Sequence, residues 1–379
     1  MIKIAIIGAS YLQLPLIKKA QEMGYETHVF AWKANDVGER QADYFYPISI
    51  VEKEAILAKC QEIGIGGICS IASDLANITV NYVANKMGLV GNSDFCTEVT
   101  TNKSKMRHCF LENNDPSPKS IRIVEASELD RFDMNLPLIV KPLDRSGSRG
   151  ITKITSYDEL ASAIDTAKEQ GFEKAAIVEE FAEGQEYSVE YISYEGKHTF
   201  LALTKKYTSG SPNFVETAHI EPAPVSADII EKVKLVTEHA LTDLDVKYGA
   251  SHSELKVDSK GNINIIEIGS RMGGDCIGSS LVKLSTGYDF VENVIRICMG
   301  QEPSVNKNIN KAAAIRFIFN NEDVKVLDRI KQEHPEYLVE ENVEEITQNA
   351  VKQSADRFGY YIIASDSVED LLIYMPKNE

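Results

Sequence analysis

The sequence has little cysteine, no long apolar run and no excess of positive charge. Its 6 cysteines are scattered and form no CxxC pair, which argues against a zinc site and against a disulfide framework. No apolar stretch approaches the roughly 20 residues that a membrane-spanning helix needs. The net charge of −17, from 40 basic and 57 acidic residues, argues against a broad nucleic-acid-binding surface. We therefore expect a cytoplasmic protein that binds neither nucleic acid nor membranes.

The pattern of apolar and polar residues changes along the 379-residue chain, and this change predicts more than one domain. The first hundred residues alternate short apolar runs with amphipathic stretches, which is typical of βαβ units around a parallel sheet. Strands are expected at 2–7, 27–31 and 67–71. Ser73 and Asp74 occupy the expected cap of the next helix. A linking helix is predicted at 101–113, and beyond it strand patterns dominate.

A glycine follows the first predicted strand, so a dinucleotide-binding turn has to be considered. The three-glycine fingerprint fails, because Ser10 and Gln13 stand at two of its three places. The acid expected after the second strand is also missing, since residues 31–33 read Ala-Trp-Lys. The segment is interpreted as a tight strand-to-helix turn and not as an NAD site.

Two later segments have the composition of a nucleotide-binding surface. An apolar strand ends at Lys141, and the Ser-Gly-Ser-Arg-Gly loop after it lets backbone N–H groups approach an anion. The lysine precedes the glycines, so this is not a Walker loop, and a solvated hairpin is the alternative. A second hairpin turns at Gly184, between Glu179–Ala182 and Glu186. Its backbone can bind an adenine edge and its acids a ribose, with an acidic surface hairpin as the alternative.

Two acids on neighbouring predicted strands are the most informative feature. Glu254 and Glu267 are separated by a tight turn, so their carboxylates can converge on one face of a sheet. Such a pair repels unless a cation or basic group accompanies it, and carboxylate oxygens suit Mg²⁺. Arg271 and a glycine pair follow, which suits phosphoryl chemistry. Solvated surface acids are the alternative, which the apolar neighbours of both residues disfavour.

Taken in this order, the segments resemble the ATP-grasp superfamily over nearly the whole chain. The resemblance implies ATP and Mg²⁺ (or Mn²⁺) as cofactors, Lys141 and Arg271 as catalytic residues, and Glu254 and Glu267 as metal ligands. It implies a nucleotide site made of Lys103, Lys141, Ser146, Gly147, Ser148, Gly150, Glu179, Glu180, Phe181, Ala182 and Glu186.

The same resemblance implies the domain organisation. An α/β pre-ATP-grasp domain with a parallel sheet is expected at residues 1–95, before an ATP-grasp fold of two α+β subdomains. The linker helix and small nucleotide-binding subdomain are expected at 96–185, and the large subdomain with the metal site at 186–310. A C-terminal α+β subdomain is expected at 311–379.

The segments at 250–256 and 271–275 are similar to the L-amino-acid ligases that make dipeptides, in a branch that also includes enzymes like carbamoyl-phosphate synthase. The expected activity is ATP-dependent joining of a small carboxylate, such as an amino acid, to an amine through an acyl phosphate, releasing ADP and phosphate. A carboxylase or formyltransferase of the purine-synthesis or biotin-carboxylase kind is an alternative, as is a non-catalytic nucleotide-binding protein. The partners are small-molecule substrates, and since relatives are often dimers, a homodimer is also considered.

One position departs from the family pattern. In the family, the second metal acid is usually the first residue of a Glu-x-Asn-x-Arg pattern. In this chain the pattern begins at Glu267 and ends at Arg271, but Gly269 stands in the place of the asparagine. The asparagine that joins the metal and phosphate shell is therefore missing. Either Ser270, Asp275 or water takes its place, or one of two metal ions binds more weakly.

Overall fold

The computed structural model describes residues 1–131, 133–145, 147, 149–211, 213–304, 306–347 and 350–377. It confirms the predicted fold class, in which a parallel sheet precedes antiparallel sheets of an ATP-grasp fold. The first strands are β1 (Lys3–Ile7), β2 (Glu26–Phe30), β3 (Tyr44–Tyr46) and β4 (Gly67–Cys69). They pair in parallel in the order β3-β2-β1-β4. The accompanying helices are α1 (Leu14–Glu22), α2 (Val37–Gln41), α3 (Lys53–Ile63) and α4 (Asp74–Met87).

The linking segment contains two helices, of which the sequence predicted the second, at 101–113, but not the first. These are α5 (Asp94–Thr101) and α6 (Lys103–Asn113), and they are separated by Asn102 in an extended conformation. The Asn102 side chain accepts hydrogen bonds from the N–H groups of Ser104 and Lys105, which caps the second helix. The prediction overlooked this cap, which places Lys103 at the first position of α6.

A small antiparallel sheet follows, with α7 (Leu160–Gln170) packed against it. Its strands are β5 (Ser120–Ile123), β6 (Leu138–Pro142), β7 (Thr152–Ile154) and β8 (Ala176–Glu180), in the order β5-β8-β6-β7. Alternate residues of β6 and β8 are buried against the helix, while Lys141 and Glu179 come from the same two strands. The small sheet therefore delivers both an apolar core and two buried charged groups.

The large sheet has the strand order β13-β12-β9-β10-β11-β14-β16-β15. Its strands are β9 (Gln185–Tyr194), β10 (Lys197–Thr208), β11 (Glu216–Glu221), β12 (Gly249–Val257), β13 (Ile263–Gly269), β14 (Ala312–Phe317), β15 (Leu338–Val343) and β16 (Gly359–Ser365). The helices are α8 (Ala227–Asp243), α9 (Val282–Thr286), α10 (Phe290–Cys298), α11 (Asn321–Glu333) and α12 (Val368–Leu372). The strands after residue 311 thus continue this sheet through the pairing of β11 with β14.

The N-terminal domain shares a hydrophobic core with the large sheet. Ile4 and Leu16 belong to one buried cluster with Ala250 of β12 and Ile295 of α10. The same cluster contains Ile71, shortly before α4, and Met272 of the loop that follows β13. Within the described ranges, every helix is too short or too polar to span a bilayer.

Glu221, on β11, is a buried acid with hydroxyl neighbours. Its carboxylate accepts hydrogen bonds from Ser285 at 2.5 Å and from Thr204 at 2.8 Å. Burial raises the pKa of Glu221 to about 7, and the two hydrogen bonds only partly oppose this shift. The folded protein therefore retains a proton over a pH range in which an unfolded glutamate, with a pKa of roughly 4.3, has released it.

This retained proton makes stability depend on pH. Because the folded pKa is raised, the contribution of Glu221 is complete below roughly pH 4.3 and is lost as the pH rises through about 7. At about 1.4 kcal/mol per pKa unit, a shift from roughly 4.3 to about 7 corresponds to a loss on the order of 4 kcal/mol. Glu221→Gln should abolish it, so urea unfolding at acidic and alkaline pH should show a flatter pH dependence than wild type. The exposed Glu231→Gln is the control, and an unchanged slope in Glu221→Gln would contradict the assignment.

Candidate nucleotide and metal site

A cleft between the small sheet and the large sheet collects most of the predicted site residues. Those that line it are Lys103, Lys141, Gly147, Glu179, Glu180, Phe181, Ala182, Glu186, Glu254, Glu267 and Arg271. Several residues that the sequence analysis did not name also line it, among them Arg145, Arg149, His252 and Lys256. Basic groups are thus concentrated in one cleft of a chain whose net charge is −17.

Lys141 and Glu179 form a buried ion pair in the wall of the cleft. The Lys141 Nζ lies 2.6 Å from one Glu179 carboxylate oxygen, and Arg107 Nε lies 2.7 Å from the other. Burial alone would raise the pKa of Glu179, but the charges of Arg107 and Lys141 outweigh it and hold the pKa below its usual value. Glu179 is therefore ionised at neutral pH and neutralises two cations at once.

The two predicted metal acids lie opposite each other on adjacent strands. Glu254 and Glu267 are direct cross-strand partners in the β12–β13 ladder. Lys206 Nζ lies 2.5 Å from Glu254, and Lys103 Nζ lies 2.7 Å from Glu267. Each acid therefore has a lysine partner in this structure, which relieves the repulsion expected for two neighbouring carboxylates.

This donor set fits a hard divalent cation. Burial alone would raise the pKa of Glu254, yet Lys206 and His252 hold it well below its usual value, so the group is a carboxylate at neutral pH. Two glutamate side chains facing one cleft supply the oxygen ligands that Mg²⁺ and Mn²⁺ prefer. A cation and the lysines compete for the same oxygens.

The loop after Lys141 approaches the cleft through its backbone. Lys103 donates a hydrogen bond of 2.8 Å to the Arg145 carbonyl oxygen, which ties the loop to helix α6. Gly147 and Gly150 have φ values of +73° and +68°, a conformation that side chains disfavour. Ser146 and Ser148, which were also predicted to bind nucleotide, lie outside the described residues.

The segment Glu179–Ala182 (the hinge), predicted to bind an adenine edge, has one backbone amide that is free among the described residues. The N–H groups of Glu180 and Phe181 donate to the carbonyls of Lys119 and Pro137. In the part of the chain that the structure describes, the Ala182 N–H has no hydrogen-bond acceptor. The Phe181 ring lies 3.7 Å from Lys153 Nζ and 4.6 Å from Lys256 Nζ, measured to its centroid. The hinge thus offers an amide donor beside an aromatic ring.

Glu186, the predicted ribose ligand, lies beside the metal acids. Its carboxylate is 3.0 Å from Lys206 Nζ, so Lys206 bridges Glu186 and Glu254. Lys206 is almost completely buried, and burial alone would lower its pKa. The surrounding glutamates instead raise the pKa of Lys206 well above its usual value.

Arg271 stands where the cleft meets a second cavity. That cavity is lined in part by Tyr11, Ala72, Glu216, His219, Asp275 and Arg357, together with Arg271, His252 and Glu254 from the first cleft. Arg357 pairs with Asp275 at 2.9 Å and with Glu216 at 3.0 Å. The shared lining means that a molecule in the second cavity lies next to the predicted metal acids.

The sequence analysis gave no role at this site to four charged residues, Arg107, Lys206, His252 and Asp74. Asp74 was predicted only as part of a helix cap, and His252 only as part of the segment 250–256. Each takes its place in the site through a contact distant in sequence. Burial alone would lower the pKa of His252, but Glu190 and Glu254 raise it to about 9. The weak signal available in advance was the Lys205-Lys206 pair inside an apolar strand pattern, since a buried strand lysine requires a partner.

Comparison with known proteins shows what the chain is similar to. Residues 134–279 match the family model for an ATP-grasp domain, and the resemblance to the superfamily is confirmed. The alanine–anticapsin ligase of Bacillus amyloliquefaciens is 26% identical over 316 residues, covering 73% of this chain and 66% of that protein. The D-alanine–D-alanine ligase of Actinobacillus succinogenes is 30% identical over 175 residues, covering 43% of this chain and 54% of that ligase.

The chain therefore spans less than two thirds of the length of these curated relatives. Among solved structures, the L-amino acid ligase from Bacillus licheniformis has a TM-score of 0.82 at 21% identity, covering 99% of this chain and 96% of that one. Phosphoribosylglycinamide synthetase from Anaerococcus prevotii has a TM-score of 0.77 at 21% identity, with coverages of 98% and 96%. At this identity the likeness shows a shared fold, and the predicted site residues and domain boundaries remain predictions.

Lys206→Met should destabilise the protein, because it leaves Glu254, Glu186 and Glu216 close together without their buried counter-charge. Breaking a buried ion pair costs about 3–5 kcal/mol. Urea unfolding should show this loss, and Mg²⁺ should reduce it if the carboxylates accept a cation. Lys205→Met is the matched control, since that neighbouring lysine lies over the Tyr207 ring at 4.5 Å. Equal stabilities of the two variants would contradict the role of Lys206.

Proposed function

We propose that the chain is an ATP-dependent ligase that joins a small carboxylate to an amine through an acyl phosphate. The observation that carries the proposal is the set of buried lysine–glutamate pairs around Glu254 and Glu267. Basic groups beside paired carboxylates suit a triphosphate and its divalent cation. The names of the related proteins support the same class of reaction.

In this proposal Lys103 and Lys141 orient the phosphates. Both ammonium groups line the cleft, and the Arg145 carbonyl and Glu179 hold them in place. Glu254 and Glu267 would hold the Mg²⁺ ion, which when bound neutralises phosphate charge. The Ala182 N–H and the Phe181 ring are available to an adenine at the other end of the cleft.

The substrates are proposed to occupy the second cavity. It contains cationic, acidic and phenolic groups and shares Arg271 with the nucleotide cleft, so a small zwitterion such as an amino acid suits it. A substrate carboxylate oxygen attacks the γ-phosphorus of ATP, and the bond to the β–γ bridging oxygen breaks to release ADP. The amine then attacks the carbonyl carbon, the C–O bond to phosphate breaks, and the amine loses a proton. Arg271 stabilises the negative charge in both steps.

The direct test is phosphate release from ATP in the presence of Mg²⁺, with amino acids and other small carboxylates supplied singly and in pairs. Release that depends on both a carboxylate and an amine, together with a coupled product detected by mass spectrometry, supports the ligase. Release that depends on bicarbonate or formate would instead support a carboxylase or a formyltransferase. ATP binding without release under any condition would support a non-catalytic protein.

Glu267→Gln should lower kcat for phosphate release by about 10²–10³-fold, the usual effect of removing one stabiliser of transition-state charge. The substitution keeps the shape of the side chain and removes the charge that a divalent cation needs. Glu231→Gln makes the same chemical change on the exposed face of α8 and should leave turnover unaltered. If Glu267→Gln retained wild-type turnover, the metal assignment would be wrong.

A further inference from the structure

We propose that Asp74 of the N-terminal domain is a positioning residue that orients Arg271 and occupies the place of the missing asparagine at position 269. This inference rests on the proposed function for its catalytic consequence. Its structural part concerns a contact between two domains and can be tested separately. No motif in the sequence connects the two residues, which are 197 positions apart.

The contact is a two-pronged ion pair. Arg271 Nε donates to one Asp74 carboxylate oxygen at 2.7 Å, and Nη2 donates to the other at 2.9 Å. Parallel hydrogen bonds of this kind fix the plane of the guanidinium as well as its position. Both side chains are largely buried, with 13% exposure for Arg271 and 17% for Asp74. The pair therefore determines the direction in which Arg271 presents its remaining N–H groups.

The ion pair lies directly against Gly269. A Cβ atom at residue 269 would lie 3.1 Å from an Asp74 carboxylate oxygen and 3.2 Å from Arg271 Cζ. These distances are already tight for one carbon atom, and an asparagine would extend further into the same region. The family's usual side chain and the Asp74–Arg271 pair are thus alternative occupants of one volume.

The other candidates for replacing the asparagine have different partners. Ser270 accepts a hydrogen bond from Asn77 at 3.0 Å and contacts Thr100 at 2.8 Å. Asp275 pairs with Arg357 and His219 in the second cavity. Asp74 is the carboxylate that lies against both Gly269 and Arg271.

Further contacts hold Asp74 against the loop that follows β13 and contains Arg271. The Ala72 N–H donates to the Met272 carbonyl at 3.2 Å, and Asn77 reaches Ser270 from the next turn of α4. Ser73 caps this helix by accepting a hydrogen bond from the Ala76 N–H, as the sequence predicted. Asp74 is therefore the first residue of a capped helix, and residues before and after Asp74 bond to the loop that contains Arg271.

The test begins with Asp74→Asn, which keeps the size of the side chain and removes its charge. We expect kcat for carboxylate- and amine-dependent phosphate release to fall by about 10–100-fold, the usual effect of losing an outer partner of an active-site group. The KM for ATP should change little, because Arg271 is proposed to act in the chemical steps. Asp94→Asn is the matched control, since Asp94 is also the first residue of a helix after a capping serine but is exposed. An equal loss in both variants, or no loss in Asp74→Asn, would overturn the proposal.

A rescue experiment separates positioning from a general structural role. Gly269→Asn should lower turnover in the wild-type background, because the asparagine collides with the ion pair. In the Asp74→Ala background the same substitution should raise turnover, since Arg271 is then no longer held against residue 269 and the two side chains can share the vacated volume. A variant that is harmful in both backgrounds would contradict the claim that the two groups occupy one volume.

Unfolding measurements keep the inference independent of the proposed function. In urea, Asp74→Asn and Arg271→Lys should be non-additive, because either substitution breaks the same pair. If wild-type protein releases no phosphate with any substrate pair, the proposed function fails. The double-mutant unfolding measurements then still test whether Asp74 and Arg271 are paired. Additive effects on stability would overturn the pairing whatever the activity, and strong coupling would support it.

Discussion

The site depends on the pairing of buried cations with carboxylates of the same protein. Lys103, Lys141, Lys206 and Arg271 lie in or beside one cleft, and Glu267, Glu179, Glu254 and Asp74 respectively neutralise them. Unpaired charges in such surroundings would be costly to bury, so each pair is a condition for placing the cations there at all. In the proposed function, a triphosphate and its cation would compete with these internal partners. The cleft would then be preorganised for phosphate without being an open basic patch.

The fold supplies this arrangement from separate elements. The small sheet contributes the Lys141–Glu179 pair, and the β12–β13 ladder places Glu254 opposite Glu267. The N-terminal domain packs on the large sheet through a shared core and brings Asp74 to Arg271. The strands after residue 311 extend the same large sheet and bring Arg357 to the second cavity. Each part thus has a contact at the site that no other part provides.

Sequence patterns predicted the elements that depend on local order. The alternation of apolar runs predicted the parallel N-terminal sheet, and tight turns predicted the hairpin that aligns Glu254 with Glu267. The helix cap at Ser73 could also be predicted, because a capping side chain bonds to the backbone of its own helix. The helix predicted at 101–113 corresponds to α6, whereas the short α5, of 8 residues, was not predicted because it begins directly after a turn-rich segment. Arg107, Lys206 and Asp74 could not be predicted, since their partners lie 72, 48 and 197 residues away.

Glu254 and Glu267 are proposed to form a cation-dependent site for ATP. Calorimetric titration of the protein with a non-hydrolysable ATP analogue, once with Mg²⁺ and once with EDTA, tests it most directly. Because a divalent cation held by these carboxylates would relieve their repulsion with the triphosphate, we predict saturable binding with one analogue per chain that is much tighter with Mg²⁺ than with EDTA. Equal affinity in the two conditions, or no binding in either, would contradict the account.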